Sequence, residues 1–400
     1  MRIALIATAD RASGDGASPA TVAGKPIARH QLDLALALGC EKILGLGNGA
    51  TPEAIALRHA AEASGARFQA MRGVRDLPAA VHGDDLLLVL AHGLLPESAR
   101  AFALLKEGQG VLVLPAEAGW GAGFERLDLT AAWGGAMIIP GRLVDRLDQL
   151  PEDAEPIAGL LRIARQGGVP ERALAESELA EGRWQIVRTP EAARALEPAW
   201  LRRRLPPVSP FRPTAWLARF ALRRFGSSLI GGRRAIAIVS GVSLGLLAGA
   251  LAAGWLGFAW AGFAVLAIAA LANEAVSGLL LLQRSIFAVE TKPSRVNFAL
   301  RVMWDVAFVG IGALAIDATR AERLFPPLAT AGLLRITPSW PETGWRALAA
   351  DRGLVAALLA LAAGFGLAEA AFMALTVVLI LLRIAPQPNS ADNAGLTLSA

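Results

Sequence analysis

The chain has 400 residues, of which 54% are hydrophobic and 18% charged, and its formal net charge is +5. This length is enough for two domains that each bury a core of their own. The single cysteine, Cys40, excludes an internal disulfide and a thiolate metal cluster, and we expect it to be a small buried hydrophobic residue.

Charged residues are unevenly distributed along the chain. They are frequent up to Glu197, but the next acidic residue is Glu274, and no arginine lies between Arg234 and Arg284. A charge at the centre of a bilayer is costly, so helices that cross lipid lack charges over such stretches. The pattern predicts an integral membrane protein with a soluble N-terminal half and an all-α polytopic membrane half of about six helices.

Arginines cluster directly before the first long apolar run, from Arg202 to Arg234. Nucleic acid is one partner of such a cluster, and the anionic headgroups of a membrane are another. The position of the cluster beside a predicted span favours the positive-inside rule. We therefore expect membrane lipids as partners and no nucleic acid.

The N-terminal half alternates predicted strands and helices. Its first apolar run passes directly into Asp10 and Arg11 without a small-residue cleavage pattern, which indicates a buried strand and not a signal peptide. Strands are predicted at residues 3–7, 42–46, 85–91, 110–114 and 136–139, and helices at 27–38, 52–63 (with Thr51 as the N-cap), 142–150 and 156–166. The alternation predicts an α/β domain with a mostly parallel sheet covered on both faces.

Ligands of such sheets bind beyond the carboxyl ends of the strands. This rule points to the loops after Ala7 and Ala91. The residues that we predict to bind a nucleotide there are Arg11, Gly14, Gly16, Lys25 and His92. Plain roles remain open beside this one: Lys25 as a surface charge at a helix start, and His92 as a hydrogen-bonded loop residue.

Two segments of the N-terminal half resemble a known family. Residues 22–26 read Val-Ala-Gly-Lys-Pro and lead into a helix, and residues 39–44 read Gly-Cys-Glu-Lys-Ile-Leu. With the first strand and its polar loop, they resemble the opening of sugar-phosphate nucleotidyltransferases, among them the inositol-phosphate cytidylyltransferases. The resemblance implies a GT-A-like Rossmannoid fold, a glycine-rich basic loop around a triphosphate, and an acidic residue that binds Mg²⁺.

The chain departs from that family pattern at both functional places. The glycines of the polar loop are not followed by the basic residue and Pro-Lys pair of the family, since Pro19 precedes Ala20. His92 follows the strand at 85–91, where the family carries an Asp. Because Mg²⁺ prefers oxygen ligands, we predict that the fold is retained and the metal site is lost.

An amphipathic stretch at 216–229 follows a proline-rich linker, and we predict that it lies in the membrane interface. Its predicted apolar side consists of Trp216, Leu217, Phe220 and Leu222, set against Arg219, Arg223 and Arg224. The predicted division of the chain is a cytosolic domain at 1–204, the linker and interfacial helix at 205–234, a membrane domain at 235–384 and a disordered tail at 385–400.

Six membrane spans are predicted from apolar runs. They lie at residues 235–254, 258–282, 302–316, 324–334, 354–366 and 368–382. The fourth run is short and contains Pro326 and Pro327. Most basic residues between the spans fall on one side, which predicts that both termini are cytosolic and that the membrane is a bacterial inner membrane.

The whole arrangement resembles a fusion of an inositol-phosphate cytidylyltransferase with a CDP-alcohol phosphotransferase. The family motif, D-x2-D-G-x2-A-R followed by G-x3-D-x3-D, implies aspartates that bind divalent metals on the diphosphate, the last of them also acting as a base. The residues at the matching positions are Glu274, Ser277, Gly278, Asn297, Arg301 and Asp305. A guanidinium at Arg301 repels a divalent cation, so no metal ligand is assigned, and Glu274 and Asp305 are the remaining catalytic candidates. A buried salt-bridge cluster of the same three charged residues is the alternative.

Functions from different classes therefore stay open. The first is a relative of phospholipid headgroup synthesis enzymes, degenerate at both active sites, that acts as a non-catalytic partner or regulator of a lipid synthase. The second is an active transferase of nucleotidyl, phosphoalcohol or glycosyl groups to a lipid acceptor, with Mg²⁺ as its cofactor. A transporter is the third, which the lack of clear inverted repeats disfavours. Other expected partners are a nucleotide or CDP-alcohol and a second copy of the chain, and the expected phosphate-binding residues are Arg219, Arg284 and Arg301.

Overall fold

The computed structural model describes the chain in two compact units. The described residues are 1–8, 19–149, 151, 155–230, 235–287, 294–317, 319–336, 344 and 346–384. One unit comprises Met1–Leu201 with Gln283–Thr291, and the other comprises Arg202–Leu282 with Lys292–Ala400. Of the predicted site residues, Arg11, Gly14 and Gly16 lie outside the described residues, as does the predicted tail at 385–400.

The first unit is a mixed α/β domain. Its strands are β1 (Arg2–Ala7), β2 (Thr21–Val22), β3 (Lys25–Pro26), β4 (Lys42–Leu46), β5 (Arg67–Met71), β6 (Leu86–Leu90), β7 (Leu94–Pro96), β8 (Gly110–Pro115), β9 (Ala131–Pro140), β10 (Glu171–Ala173) and β11 (Trp184–Ile186). Its helices are α1 (Ile27–Ala37), α2 (Pro52–Ala63), α3 (Asp76–Ala80), α4 (Ala99–Lys106), α5 (Ala116–Gly121), α6 (Pro156–Gln166), α7 (Ser177–Ala180) and α8 (Pro190–Arg204), with a 3-10 helix at Gly141–Gln149.

Seven strands form the main sheet, in the order β10-β8-β9-β6-β1-β4-β5. β1 pairs in parallel with both β4 and β6, and only β9 runs antiparallel to its neighbours β6 and β8. The central strands are continuous apolar runs, as strands buried on both faces are. The α/β class predicted for the N-terminal half is thereby confirmed, with a sheet that is mostly parallel.

Local signals explain where prediction and structure agree in this unit. β4 and α2 have the predicted bounds, and Thr51 Oγ1 caps α2 by accepting a hydrogen bond from Ala54 N at 3.2 Å. The edge strand β5 was not predicted, because only Met71 in it is buried and no apolar alternation marks it. The predicted helix at 142–150 is instead a 3-10 helix as far as Gln149.

The second unit is helical. Its helices are α9 (Pro213–Ile230), α10 (Ala235–Trp255), α11 (Ala259–Gln283), α12 (Arg295–Ala315), α13 (Arg320–Ile336), α14 (Arg346–Ala349), α15 (Arg352–Gly364) and α16 (Ala368–Ile384). Among the described residues, three helices, α10, α11 and α12, are long and apolar enough to cross a membrane. These helices fit a membrane protein.

The other three predicted spans do not reach that length. α13 and α16 have 17 residues each and α15 has 13, and α13 also contains Pro326 and Pro327. At 1.5 Å per residue, a helix needs about 20 residues to cross a hydrocarbon core. The six-span arrangement therefore stays a prediction.

Aromatic rings fill the core of the helical unit. Phe308 lies 5.1 Å from Trp304, 6.1 Å from Phe263 and 5.5 Å from Phe372, measured between ring centroids. Gly254 packs against the Ile311 side chain on α12. The more regular glycine series of α10 does not have that role, since a Cβ at Gly241, Gly245 or Gly249 would meet no described atom within 4 Å.

Helix α9 is attached to the helical unit at two glycines. A Cβ on Gly278 of α11 would overlap the Leu222 side chain, and one on Gly353 of α15 would overlap Thr214. Asp351, which is 5% exposed, accepts hydrogen bonds at 2.9 Å from both Thr214 N and Leu354 N. One carboxylate thus caps α9 and α15 together.

The structure divides α9 differently from the sequence prediction. Leu222 is buried, and Arg223 on the same side donates a hydrogen bond to Leu205 O, while Arg219 is half-buried. Trp216 and Phe220 stack at 5.8 Å and stay exposed. The predicted apolar side is therefore split, because its Leu222 faces the protein while its aromatic residues face outwards.

Candidate anion-binding site in the helical unit

Helix α12 carries polar residues on one face of an otherwise apolar span. Asn297, Arg301 and Asp305 are four residues apart, so each step along the axis is about 6 Å. Residues at this spacing lie above one another on a helix. Arg301 is exposed, Asn297 is half-buried and Asp305 is only 9% exposed.

Asp305 is held between two guanidinium groups from other helices. Arg335 Nε at the end of α13 donates a hydrogen bond to Oδ2 at 2.7 Å. Arg352 Nη2 at the start of α15 lies 3.0 Å from Oδ1. A buried charge is tolerated in a protein when it is paired in this way. Three helices therefore meet at this one carboxylate.

Arg352 connects the charged group to the aromatic core. Its guanidinium carbon lies 5.3 Å from the centroid of the Trp304 ring, and Trp304 Nε1 donates to Leu266 O at 3.1 Å. Arg301, Arg335 and Glu274 are also within electrostatic range of Arg352. Three guanidiniums thus face two carboxylates, which leaves an excess of positive charge for an anion.

An uncharged polar cluster lies on the neighbouring part of the same helices. Ser243 Oγ of α10 donates to Asn273 Oδ1 of α11 at 2.5 Å, and Ser277 Oγ donates to Asn297 Oδ1 of α12 at 3.0 Å. Ser277 Oγ also lies 3.0 Å from Asn273 O, one turn back on its own helix. Asn273 and Ser243 are buried.

The structure brings some of the predicted residues together and separates others. Glu274, Arg301 and Asp305 are near one another, whereas Arg284 belongs to the segment Gln283–Thr291 of the first unit. Arg335 and Arg352, which complete the site, were counted in the sequence only as charges at span ends. Their signal was an arginine at the end of a predicted span on the same side as Arg301.

In the first unit, the described nucleotide candidates lie near the carboxyl ends of β1 and β6, which are adjacent strands. Lys25 Nζ donates to Gln283 O at 2.9 Å and lies 3.7 Å from Asp33 Oδ2. Lys25 follows a two-residue turn in which Ala23 and Gly24 both have positive φ, and Ala23 N donates to Glu197 Oε1 at 3.0 Å. Burial raises the pKa of Glu197, although this hydrogen bond favours its ionised form.

His92 follows β6 in a tightly packed turn. Gln31 of α1 braces this turn, because its buried Nε2 donates to Ala91 O at 2.8 Å and to Leu94 O at 2.9 Å. Gly93 has a φ of +78°, and a Cβ there would lie 2.8 Å from Val187 O. Sequence reasoning missed Gln31, since nothing distinguishes a buried glutamine from a surface one on a helix.

The donor set of the helical site suits an anion better than a cation. The described residues contain no group of three or more His, Cys, Asp or Glu side chains that could hold a metal ion. The one buried carboxylate of the site is already paired with two arginines. Guanidinium groups bind phosphate and carboxylate oxygens by paired hydrogen bonds.

Fold and site together define a class of protein: a mixed α/β unit joined to a helical unit that is fit to enter a membrane and carries a buried arginine–aspartate site. No protein-family model matches the chain, and no curated protein matches it either.

Proposed function

We propose that the protein is a multi-pass membrane protein whose helical unit binds the phosphate group of a lipid or of a phosphorylated lipid headgroup. The observation that carries this proposal is the pairing of Asp305 with Arg335 and Arg352, with Arg301 nearby. Two of these arginines are fixed by the carboxylate and the third is exposed. A phosphate oxygen supplies the negative charge that the group lacks.

In this proposal the protein is a non-catalytic relative of fused enzymes that make phospholipid headgroups. The resemblance to CDP-alcohol phosphotransferases assigns metals and a base to positions where this chain has Ser277, Arg301 and Asp305. A guanidinium at Arg301 opposes a divalent cation. Asp305 makes two ion pairs, so it does not offer a free carboxylate as a base. Binding and regulation of a lipid synthase remain as the proposed activity.

The proposed topology places all six apolar helices across the membrane, with both termini in the cytosol. Two observations support it. Arg301, Arg335 and Arg352, which the charge pattern assigns to the cytosolic ends of three different spans, lie near one another. The segment Gln283–Thr291 between α11 and α12 belongs to the N-terminal unit, and its Phe287 stacks on Phe102 at 5.2 Å. A loop that packs on a soluble unit shares its side of the membrane.

For the first unit we propose a GT-A-like fold that retains a nucleotide or CDP-alcohol site near Lys25 and His92. The mostly parallel sheet and the adjacent ends of β1 and β6 support this. An active transferase is the second candidate for the whole chain, because Glu274 and Asp305 keep carboxylates where the resemblance expects metal ligands. It predicts tight binding of a CDP-alcohol that depends on Mg²⁺.

The proposed phosphate site is tested with the purified full chain in a zwitterionic detergent. Isothermal titration with short-chain phosphatidylglycerol is expected to show binding that Arg335→Gln and Arg352→Gln each weaken by about tenfold, which corresponds to one lost charged hydrogen bond. Arg323→Gln, at the other end of α13, is the charge-matched control and should leave the affinity unchanged. Equal weakening by all three variants would mean that only the net charge attracts the lipid.

A further inference from the structure

The uncharged cluster has unused hydrogen-bonding capacity. Asn273 and Asn297 each meet one serine through one atom of the amide group. An amide has a second polar end with two donors or two acceptors, and none of the described residues bonds to that end in either asparagine. Asn273 is only 8% exposed, so this end lies away from bulk water.

The chemistry of a matching ligand group follows from the amides. An oxygen and a nitrogen are nearly indistinguishable in an asparagine side chain, so the unused end is a donor in one orientation and an acceptor in the other. A hydroxyl both donates and accepts, and it therefore fits either orientation. Apolar acyl chains and tetraalkylammonium groups satisfy neither.

The cluster adjoins the charged site. Asn297 precedes Arg301 by one helical turn, about 6 Å along the axis, and Asn273 is next to Glu274 on α11. Ser277 joins the two asparagines through contacts of 3.0 Å to each. A phosphate at the guanidiniums therefore places the alcohol that it esterifies within reach of both amides.

Resting on the proposed phosphate site, we propose that Asn273 and Asn297 form a neutral subsite for the hydroxyl groups of the same ligand. The ligand class is then a phosphate ester of a polyhydroxy alcohol, as a lipid headgroup or as the free ester. The competing explanation is that the Ser–Asn pairs only fasten α10, α11 and α12 to one another, as polar pairs in membranes do. That explanation predicts a change in stability and none in ligand choice.

The experiment compares short-chain phosphatidylglycerol with short-chain phosphatidic acid by titration of the full chain in detergent. Both lipids carry the phosphate, but only the first carries headgroup hydroxyls. The native chain is expected to bind phosphatidylglycerol about tenfold more tightly, the effect of one or two hydrogen bonds to buried groups. Parallel titrations with glycerol 3-phosphate and inorganic phosphate show whether the lipid or the free ester is the better source of this chemistry.

The variants are Asn297→Ala and Asn273→Ala, with Thr376→Val as the control. Thr376 contacts Thr330 at 2.9 Å in another polar pair of the same unit. Each asparagine variant should bring the ratio of the two affinities close to one and change the phosphatidic acid affinity by less than about twofold. The control should keep the ratio.

Three outcomes overturn the subsite. One is equal affinity of the native chain for the two lipids, and another is a preference that both asparagine variants keep. The third is a ratio that Thr376→Val reduces as much as they do. In each case anion binding itself would persist and the proposed phosphate site would stand. Failure of the native chain to bind any phosphate-bearing probe would instead reject the proposed function.

Discussion

At the scale of single residues, Asp305 sets the spacing of the positive charges in the helical unit. It is 9% exposed and pairs with Arg335 at 2.7 Å and with Arg352 at 3.0 Å. Breaking a buried pair leaves uncompensated charge, which costs more than the intact pair contributes. We therefore assign Asp305 the role of a positioning residue that keeps two guanidiniums close to each other.

This role makes a prediction for Asp305→Asn. The two guanidiniums then repel each other, so the melting temperature of the purified chain in detergent should fall by several degrees, for a loss of about 1–3 kcal/mol. Inorganic phosphate should raise the melting temperature of the variant more than that of the native chain, because the anion replaces the missing carboxylate.

Asp317→Asn is the matched control for that experiment, since Asp317 follows the other end of α12 and is exposed. It should melt like the native chain with and without phosphate. Identical phosphate effects on the native chain and on Asp305→Asn would contradict the assignment of an anion to the guanidiniums.

A second residue-scale prediction concerns Glu178 in the first unit. Arg183 donates to it through Nε and Nη2 at 2.8 and 2.9 Å, and these hydrogen bonds hold the pKa of Glu178 below its ordinary value. A lowered carboxyl pKa adds stability above the unfolded-state pKa of about 4.3, and this stability is lost as the pH falls through the folded-state pKa.

Glu178→Gln should therefore loosen β11 near neutral pH and have little effect at low pH. Hydrogen exchange of the peptide that contains Trp184–Ile186 should be about fivefold faster in the variant at pH 7, for a loss of about 1 kcal/mol. Comparison with the native chain at each pH removes the intrinsic pH effect on exchange. A difference that persists unchanged at the lowest pH would show that the ion pair is not its cause.

Single residues also show where sequence reasoning ends. The four-residue spacing of Asn297, Arg301 and Asp305 predicted a shared face because helix geometry is local. The partners Arg335 and Arg352 lie 30 and 47 residues from Asp305, and no local rule says which helix ends meet. The loop candidates Arg11, Gly14 and Gly16 remain predictions.

At the scale of elements, the packing of α9 depends on the absence of a side chain at Gly278. Leu222 of α9 occupies the space that a Cβ would take. The resemblance to the family motif had already singled out this glycine, but the structure gives it a role in packing. Small residues allow such close approach of helices in membranes.

Gly278→Leu should therefore detach α9. Hydrogen exchange of the α9 peptide, measured in detergent, should rise by about tenfold or more, because overpacking of this kind costs about 1–3 kcal/mol. Gly249→Leu in α10 is the matched control, since a side chain there meets no described atom within 4 Å. Adding Leu222→Ala to Gly278→Leu should restore part of the protection. Equal exchange in both single variants would contradict the packing role.

Elements with strong local signals were predictable and edge elements were not. The N-cap Thr51 and the proline after it defined α2, and the apolar run of β4 defined that strand. β9 extends from Ala131 to Pro140, whereas only 136–139 was predicted, because its first half is rich in alanine and glycine. Burial there comes from pairing with β8, which is a long-range contact.

At the scale of the whole molecule, the charge map makes a topology prediction. In a chain with Cys40→Ala, single cysteines at Ser285, Asp317 and Gly366 sample three different connections between the apolar helices. A membrane-impermeant thiol reagent should label the cysteines at 317 and 366 on intact cells, and the one at 285 only after lysis. Labelling at 285 on intact cells would reverse the orientation, and protection at 366 would show that α15 and α16 do not both cross.

The central claim is that the helical unit lies in hydrocarbon, as the apolar helices α10, α11 and α12 suggest. Alkaline carbonate extraction of membranes from cells that express the full chain tests it most directly, because this treatment removes peripheral proteins and leaves those whose helices enter the bilayer. We predict that the chain stays in the pellet and dissolves only with detergent. Its release into the carbonate supernatant would contradict this account.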